Sequence, residues 1–112
     1  MIKTVNILGT EYEIICKRKE DEPKLEDSYG YTEPYSKKIV IDTFEEVIKQ
    51  SDTVENFEEF VKKVIGHETI HAFFGESGLK DNSDFAENEE LVDWIAIQAP
   101  KMFKVWQELG VL

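Results

Sequence analysis

A chain of 112 residues with 24 acidic and 13 basic side chains has a formal net charge of −11, and 41% of its residues are hydrophobic. That length suits one domain, here taken as residues 1–112, and the apolar share supports a modest core and not wholesale disorder. The acidic balance argues against a nucleic-acid backbone or an anionic membrane as partner and is compatible with solubility, a cationic peptide or a basic protein. The single cysteine, Cys16, cannot form an intramolecular disulfide. With no signal-peptide pattern and no apolar run of about 20 residues, the expectation is a cytoplasmic protein.

In chain order, Ile2 to Leu8 reads as a strand with β-branched Val5 and Ile7. Gly9-Thr10 is a turn signal, and Tyr12 to Lys17 reads as a second strand, so the first unit is a β-hairpin. Residues 18–36 open with a charged, aperiodic stretch containing Pro23, expected to be a flexible loop region. Within it, Tyr29–Tyr31 suggests a short extended piece followed by a turn at Glu33-Pro34. Lys38–Asp42 (Lys-Ile-Val-Ile-Asp) is the clearest strand. Phe44–Gln50 suits one or two helical turns with Thr43 as cap.

A first long helix is expected from Asp52, with Glu55 completing a capping-box variant. Phe57, Phe60, Val61, Val64 and Ile65 then recur at helical spacing. Gly75 and Gly78 are natural stops. Gly66 is unusual in mid-helix, either admitting a neighbouring backbone or simply tolerated. A second long helix is expected from Asp84, with Glu87 three residues on. Pro100 predicts a kink or break, with a short terminal helix to Leu109. Phe73, Phe74, Trp94 and Trp106 read as core residues.

The decisive motif is His67-Glu68-Thr69-Ile70-His71. On a helix it sets two imidazoles at i and i+4 on one face, which suits zinc, with Glu68 between them as general base for a water that the metal activates. The chain has no other histidine. A hydrolytic zinc site takes three protein ligands, so the third is expected to be a carboxylate, giving a His₂Glu set. Glu76, Asp81, Asp84, Glu87, Glu89, Glu90 and Asp93 compete. Glu89 and Asp93 share a helix face, so Glu89 can bind zinc while Asp93 accepts the other ring N–H of a ligating histidine. Glu90 is the runner-up ligand. Tyr31 or Tyr35 is a candidate donor to an oxyanion, or else covers the sheet.

The motif, together with Asn88-Glu89-Glu90-Leu91-Val92-Asp93-Trp94-Ile95-Ala96, resembles the gluzincin class of zinc metallopeptidases. More narrowly, the chain is similar to small phage- and prophage-encoded zincin-like metallopeptidases related to the ImmA/IrrE type. The opening Ile-Leu-Gly-Thr-Glu-Tyr-Glu-Ile and the Lys-Lys-Ile-Val-Ile-Asp run belong to that resemblance. It implies an α+β, minimal zincin-like fold: a small twisted, mostly antiparallel sheet on two long helices carrying the metal. It also implies hydrolysis of a peptide bond in a peptide or protein substrate, with an edge strand over the metal helix receiving substrate as an added strand. That edge is either Ile39-Val40-Ile41 or the Tyr29–Tyr31 piece. The rival expectation is a zinc-binding, non-catalytic acidic module that binds a basic protein.

Overall fold

The computed structural model describes residues 2–45, 48 and 56–112. It is an α+β structure whose four strands form one mixed sheet beside two long helices. Strand β1 (Ile2–Ile7) pairs antiparallel with β2 (Thr10–Lys17). The hairpin turn is Leu8-Gly9, one residue earlier than the sequence suggested. Both turn residues have positive φ, 53° and 90°, the backbone of the two-residue turn whose twist matches that of paired strands. The Asn6 side chain accepts the Gly9 N–H at 2.9 Å.

Strand β3 (Gly30–Glu33) pairs antiparallel with β4 (Lys38–Asp42), and β4 runs parallel to β2. The order β1-β2-β4-β3 therefore puts β4 in the interior and leaves β3 as an edge. Burial follows: Ile39, Val40 and Ile41 are all buried, because both faces of β4 are covered. Two of the three pairings are antiparallel, and the central one is parallel.

The stretch read as a flexible loop is held in place. It contains two short 3₁₀ turns, Lys19–Asp21 and Pro23–Leu25, and Leu25 is fully buried. The Lys19 ammonium donates to the carbonyls of Leu25 and Ser28, each at 2.6 Å. It also sits 3.7 Å from the buried Asp42 carboxylate and over the Tyr29 ring. One cation thus gathers the loop, the end of β4 and the approach to β3. Charge density alone made this segment look unstructured, since nothing local marks which lysine turns inward.

Helix α1 (Phe57–Glu76) lies across one sheet face. Phe57, Phe60, Val61, Val64 and Ile65 pack on a core of Ile7, Tyr12, Ile39, Ile41, Phe44 and Ala72. Its cap is Asn56, whose side chain accepts the Glu59 N–H. The expected Asp52–Glu55 box lies outside the described residues, as do positions 46–47 and 49–50 of the proposed Phe44–Gln50 turns. A short helix α2 (Leu79–Asn82) follows Gly78, which has φ 81°.

Helix α3 (Glu89–Leu109) starts later than predicted. Asp84–Glu87 is a 3₁₀ turn, and Asn88 is the cap, accepting the Leu91 N–H at 2.9 Å. Pro100 neither breaks nor ends the helix; Lys101, Met102, Lys104, Gln107, Glu108 and Leu109 beyond it are strong helix formers. Gly110 (φ 68°) stops it. The end of α3 projects from the body, and residues 103–112 are exposed. The radius of gyration of 15.1 Å accordingly exceeds the roughly 13 Å of a compact chain this long. The core expectation therefore fails for Trp94 and Trp106, 53% and 44% exposed, and for the exposed Phe73. Phe74 is half-buried against Phe85. No described helix is long and apolar enough to cross a membrane.

Two glycines of α1 make opposite predictions. A Cβ on Gly66 would meet Ala96 at 3.6 Å, ordinary contact, so the helices approach closely yet leave room for a methyl. Gly66→Ala should raise stability by about 0.5–1 kcal/mol through helix propensity. A Cβ on Gly75 would strike Pro34 at 2.9 Å, so Gly75→Ala should destabilise by about 1–3 kcal/mol. Denaturant titration of both variants checks the pair.

Glu76 ends α1 by tying it to the sheet. It accepts hydrogen bonds from Thr10 (2.9 Å), Tyr12 (2.8 Å) and Lys37 (2.5 Å), which removes it from the candidate metal ligands. The Lys37 ammonium first, then the two hydroxyls, hold its carboxyl below the usual 4.5. A depressed folded-state pKa gives stability that is present above the unfolded value and lost as pH falls through the folded one. Acid unfolding should therefore have a component below about pH 4.5 that Glu76→Gln removes, measurable as a flatter acid limb in midpoint against pH.

Candidate metal centre

Helix α1 presents Phe60, Val64, His67, Glu68 and His71 along one side of a cleft of about 660 Å³, a size ordinary for a ligand site. The facing walls are the β3 segment from Ser28 to Pro34, and Ala86, Glu87, Glu89 and Asp93 from the chain around the start of α3. Helices α1 and α3 run antiparallel here, since His71 faces Glu89, His67 faces Asp93, and Gly66 faces Ala96.

Three groups converge on the cleft floor. His67 Nε2 lies 2.7 Å from Glu89 Oε2, His71 Nε2 lies 3.1 Å from Glu89 Oε1, and the two Nε2 atoms are 3.1 Å apart. One ligand atom from each lies within 4.8 Å of the others. On the far side of its ring, His67 donates its Nδ1–H to Asp93 Oδ1 at 2.7 Å. Because a carboxylate only accepts, that bond puts a proton on Nδ1 and leaves Nε2 facing the cleft. By the same rule the 2.7 Å contact between Nε2 and the Glu89 carboxylate is bridged either by a second ring proton or by a bound cation. Tetrahedral zinc with 2.0–2.1 Å bonds separates its ligand atoms by roughly 3.3 Å; the separations here, 2.7, 3.1 and 3.1 Å, are shorter, so these nitrogen and carboxylate donors are of the kind zinc takes and would have to part slightly to hold it. Asp93 Oδ2 in turn lies 3.7 Å from the Lys63 ammonium.

Glu89, not Glu90, reaches the histidines; both carboxylates are exposed, but only Glu89 joins the cluster. The shifted helix start explains why: Asn88 caps α3, so Glu89 occupies its first position and projects toward α1.

Glu68 is 7% exposed, yet it borders the cleft. Thr32 Oγ1 donates to its Oε1 at 2.8 Å and lies 2.9 Å from its backbone carbonyl. Among the described residues its Oε2 takes no protein hydrogen bond. Burial pushes the Glu68 carboxyl above the usual 4.5, while the Thr32 hydroxyl and then His71 and His67 pull part of the way back.

Neither tyrosine serves the site. Tyr35 is 93% exposed and away from the cleft. Tyr31 borders the cleft, but its hydroxyl engages Glu22, and burial with that contact pushes it up to about 12. Sequence reasoning missed Thr32 and Gly30. Their signal is the strand's two-residue alternation, which turns both toward α1 and turns Tyr31 and Glu33 toward Lys24 on the other side. Compared with protein-family models, curated proteins and solved structures, the chain matches none.

Proposed function

We propose that this chain is a zinc-dependent metallopeptidase with a minimal zincin-like fold, similar to the small phage- and prophage-encoded enzymes that its motif resembles, and that it acts in the cytoplasm on a peptide or protein substrate. The observation that carries this reading is the buried Glu68 carboxylate beside a three-donor cluster, with one oxygen held by Thr32 and the other free. His67, His71 and Glu89 would hold the ion, and Asp93 fixes the tautomer and aim of His67. Zinc held there supplies Lewis acidity toward a water and a peptide carbonyl.

Glu68 accepts the proton of the attacking water as the C–O bond forms. It delivers that proton to the leaving amine as the C–N bond breaks. Strand β3, the exposed edge beside α1, offers unpaired backbone groups to an extended peptide. The test is metal content together with cleavage of a peptide library by the intact zinc-loaded protein, with a chelated control. Cleavage that survives full metal removal would overturn the proposal.

A second reading has its own support. The exposed end of α3, with Phe103, Val105, Trp106 and Leu109, suits a zinc-stabilised module that binds a protein without cutting it. The two part at Glu68, which that module does not need.

A further inference from the structure

We infer that Thr32 is the positioning residue for Glu68, so that the edge strand itself aims the base of the proposed peptidase. The inference rests on that reading for its catalytic consequence, though not for the contact. Gly30 and Thr32 stand two residues apart on β3 and face the same helix turn. A Cβ on Gly30 would come within 3.1 Å of Glu68 Cγ, Ile41 Cδ1 and the Val40 carbonyl. The missing side chain lets the strand close on α1 at Glu68. Thr32 is then near enough for its Oγ1 to lie 2.8 Å from Glu68 Oε1 and 2.9 Å from the Glu68 carbonyl.

One hydroxyl thus meets the main chain and the side chain of a single residue. Its β-branched side chain has few rotamers to choose from, which makes the contact rigid. Holding Oε1 fixes the plane of the carboxylate and leaves Oε2 without a protein hydrogen bond among the described residues. Without the hydroxyl, a buried carboxylate would lose its one protein hydrogen bond among the described residues and swing toward water or toward the histidines. The strand that would receive a peptide is therefore also the strand that orients the base, and a misplacement of about 1 Å at such a group can cost about 100-fold in rate.

The experiment compares Thr32→Val, which keeps the shape and removes the hydroxyl, with Thr32→Ser, which keeps the hydroxyl. Both are assayed as the full zinc-loaded chain on a peptide selected from a library with wild-type protein. Thr32→Val should lower kcat about 10–100-fold with KM and bound zinc unchanged, and Thr32→Ser should restore most of it. An unchanged kcat in Thr32→Val overturns the inference, as does an equal loss in Thr32→Ser. A second arm needs no turnover. Thr32→Val should lower the thermal midpoint more in the wild-type background than in Glu68→Ala, and equal shifts in both overturn the contact. If wild-type protein cleaves nothing, the peptidase reading fails alone, and the melting comparison still decides whether Thr32 holds Glu68.

Discussion

Glu68→Gln is expected to lower peptide hydrolysis by about 10²–10⁴-fold, to leave zinc binding intact, and to raise the thermal midpoint of the metal-free protein. The first effect follows from the loss of the carboxylate that stands beside the three-donor cluster and is proposed to take and return the proton. Zinc binding survives because the ligand atoms belong to His67, His71 and Glu89, and because an amide has the volume of the carboxylate it replaces.

The third effect comes from burial. Glu68 is 7% exposed, and desolvation raises its folded-state pKa above 4.5. A raised carboxyl pKa means that the folded state holds the proton more tightly than the unfolded one. The stability it contributes is complete below the unfolded pKa and lost as pH rises through the folded value. Glutamine escapes that loss, while its amide oxygen still accepts from Thr32. The gap between wild type and variant should therefore open from about pH 4.5 upward, measured by melting with chelator present. A variant that still cleaves at the wild-type rate would remove Glu68 from the mechanism; zinc binding with no cleavage by the wild-type protein would favour the binding module.

The residues of the candidate cluster were legible because their logic is local. A five-residue motif on a helix places His67, Glu68 and His71 whatever surrounds it, and Glu89 with Asp93 needed only one helix face. The β-hairpin and Lys38–Asp42 were equally plain from alternation and β-branching. What escaped was set by tertiary contact. Asp84 has the side chain of a cap, and only the fold shows that Asn88 caps α3 instead, several residues further on. Phe73, Trp94 and Trp106 look like core in composition, because an apolar stripe does not announce whether a partner element reaches it. Lys19 and Thr32 are ordinary loop and strand residues until the fold brings the Leu25 and Ser28 carbonyls, or the Glu68 carboxylate, within hydrogen-bond reach.

The metal should act on stability as strongly as Glu68 acts on rate. Its three proposed ligands come from two helices, His67 and His71 from α1 and Glu89 from α3, so an ion bound there would cross-link the pair. A ligand that binds only the folded state adds about 2.7 kcal/mol at a hundredfold excess over Kd. For a domain this small that is a rise of about 10 °C in thermal midpoint. Wild-type protein should show this rise with zinc and lose it with chelator. Glu89→Ala should abolish it, while Glu90→Ala should leave it whole, because only the first of these carboxylates reaches the histidines. Asp93→Ala should fall between. The His67 ring loses the bond that fixes its tautomer, weakening affinity about 10–100-fold, equivalent to about 1.4–2.7 kcal/mol at fixed zinc. Scanning fluorimetry with calorimetric titration resolves all four. A wild-type midpoint indifferent to zinc would sink the metal centre, and a Glu90→Ala variant that behaves like Glu89→Ala would move the third ligand one residue along α3. The graded order wild type, Asp93→Ala, Glu89→Ala is the signature of an ion held by two helices and aimed by a second carboxylate. A stray cation on an acidic surface would respond to each lost charge alike.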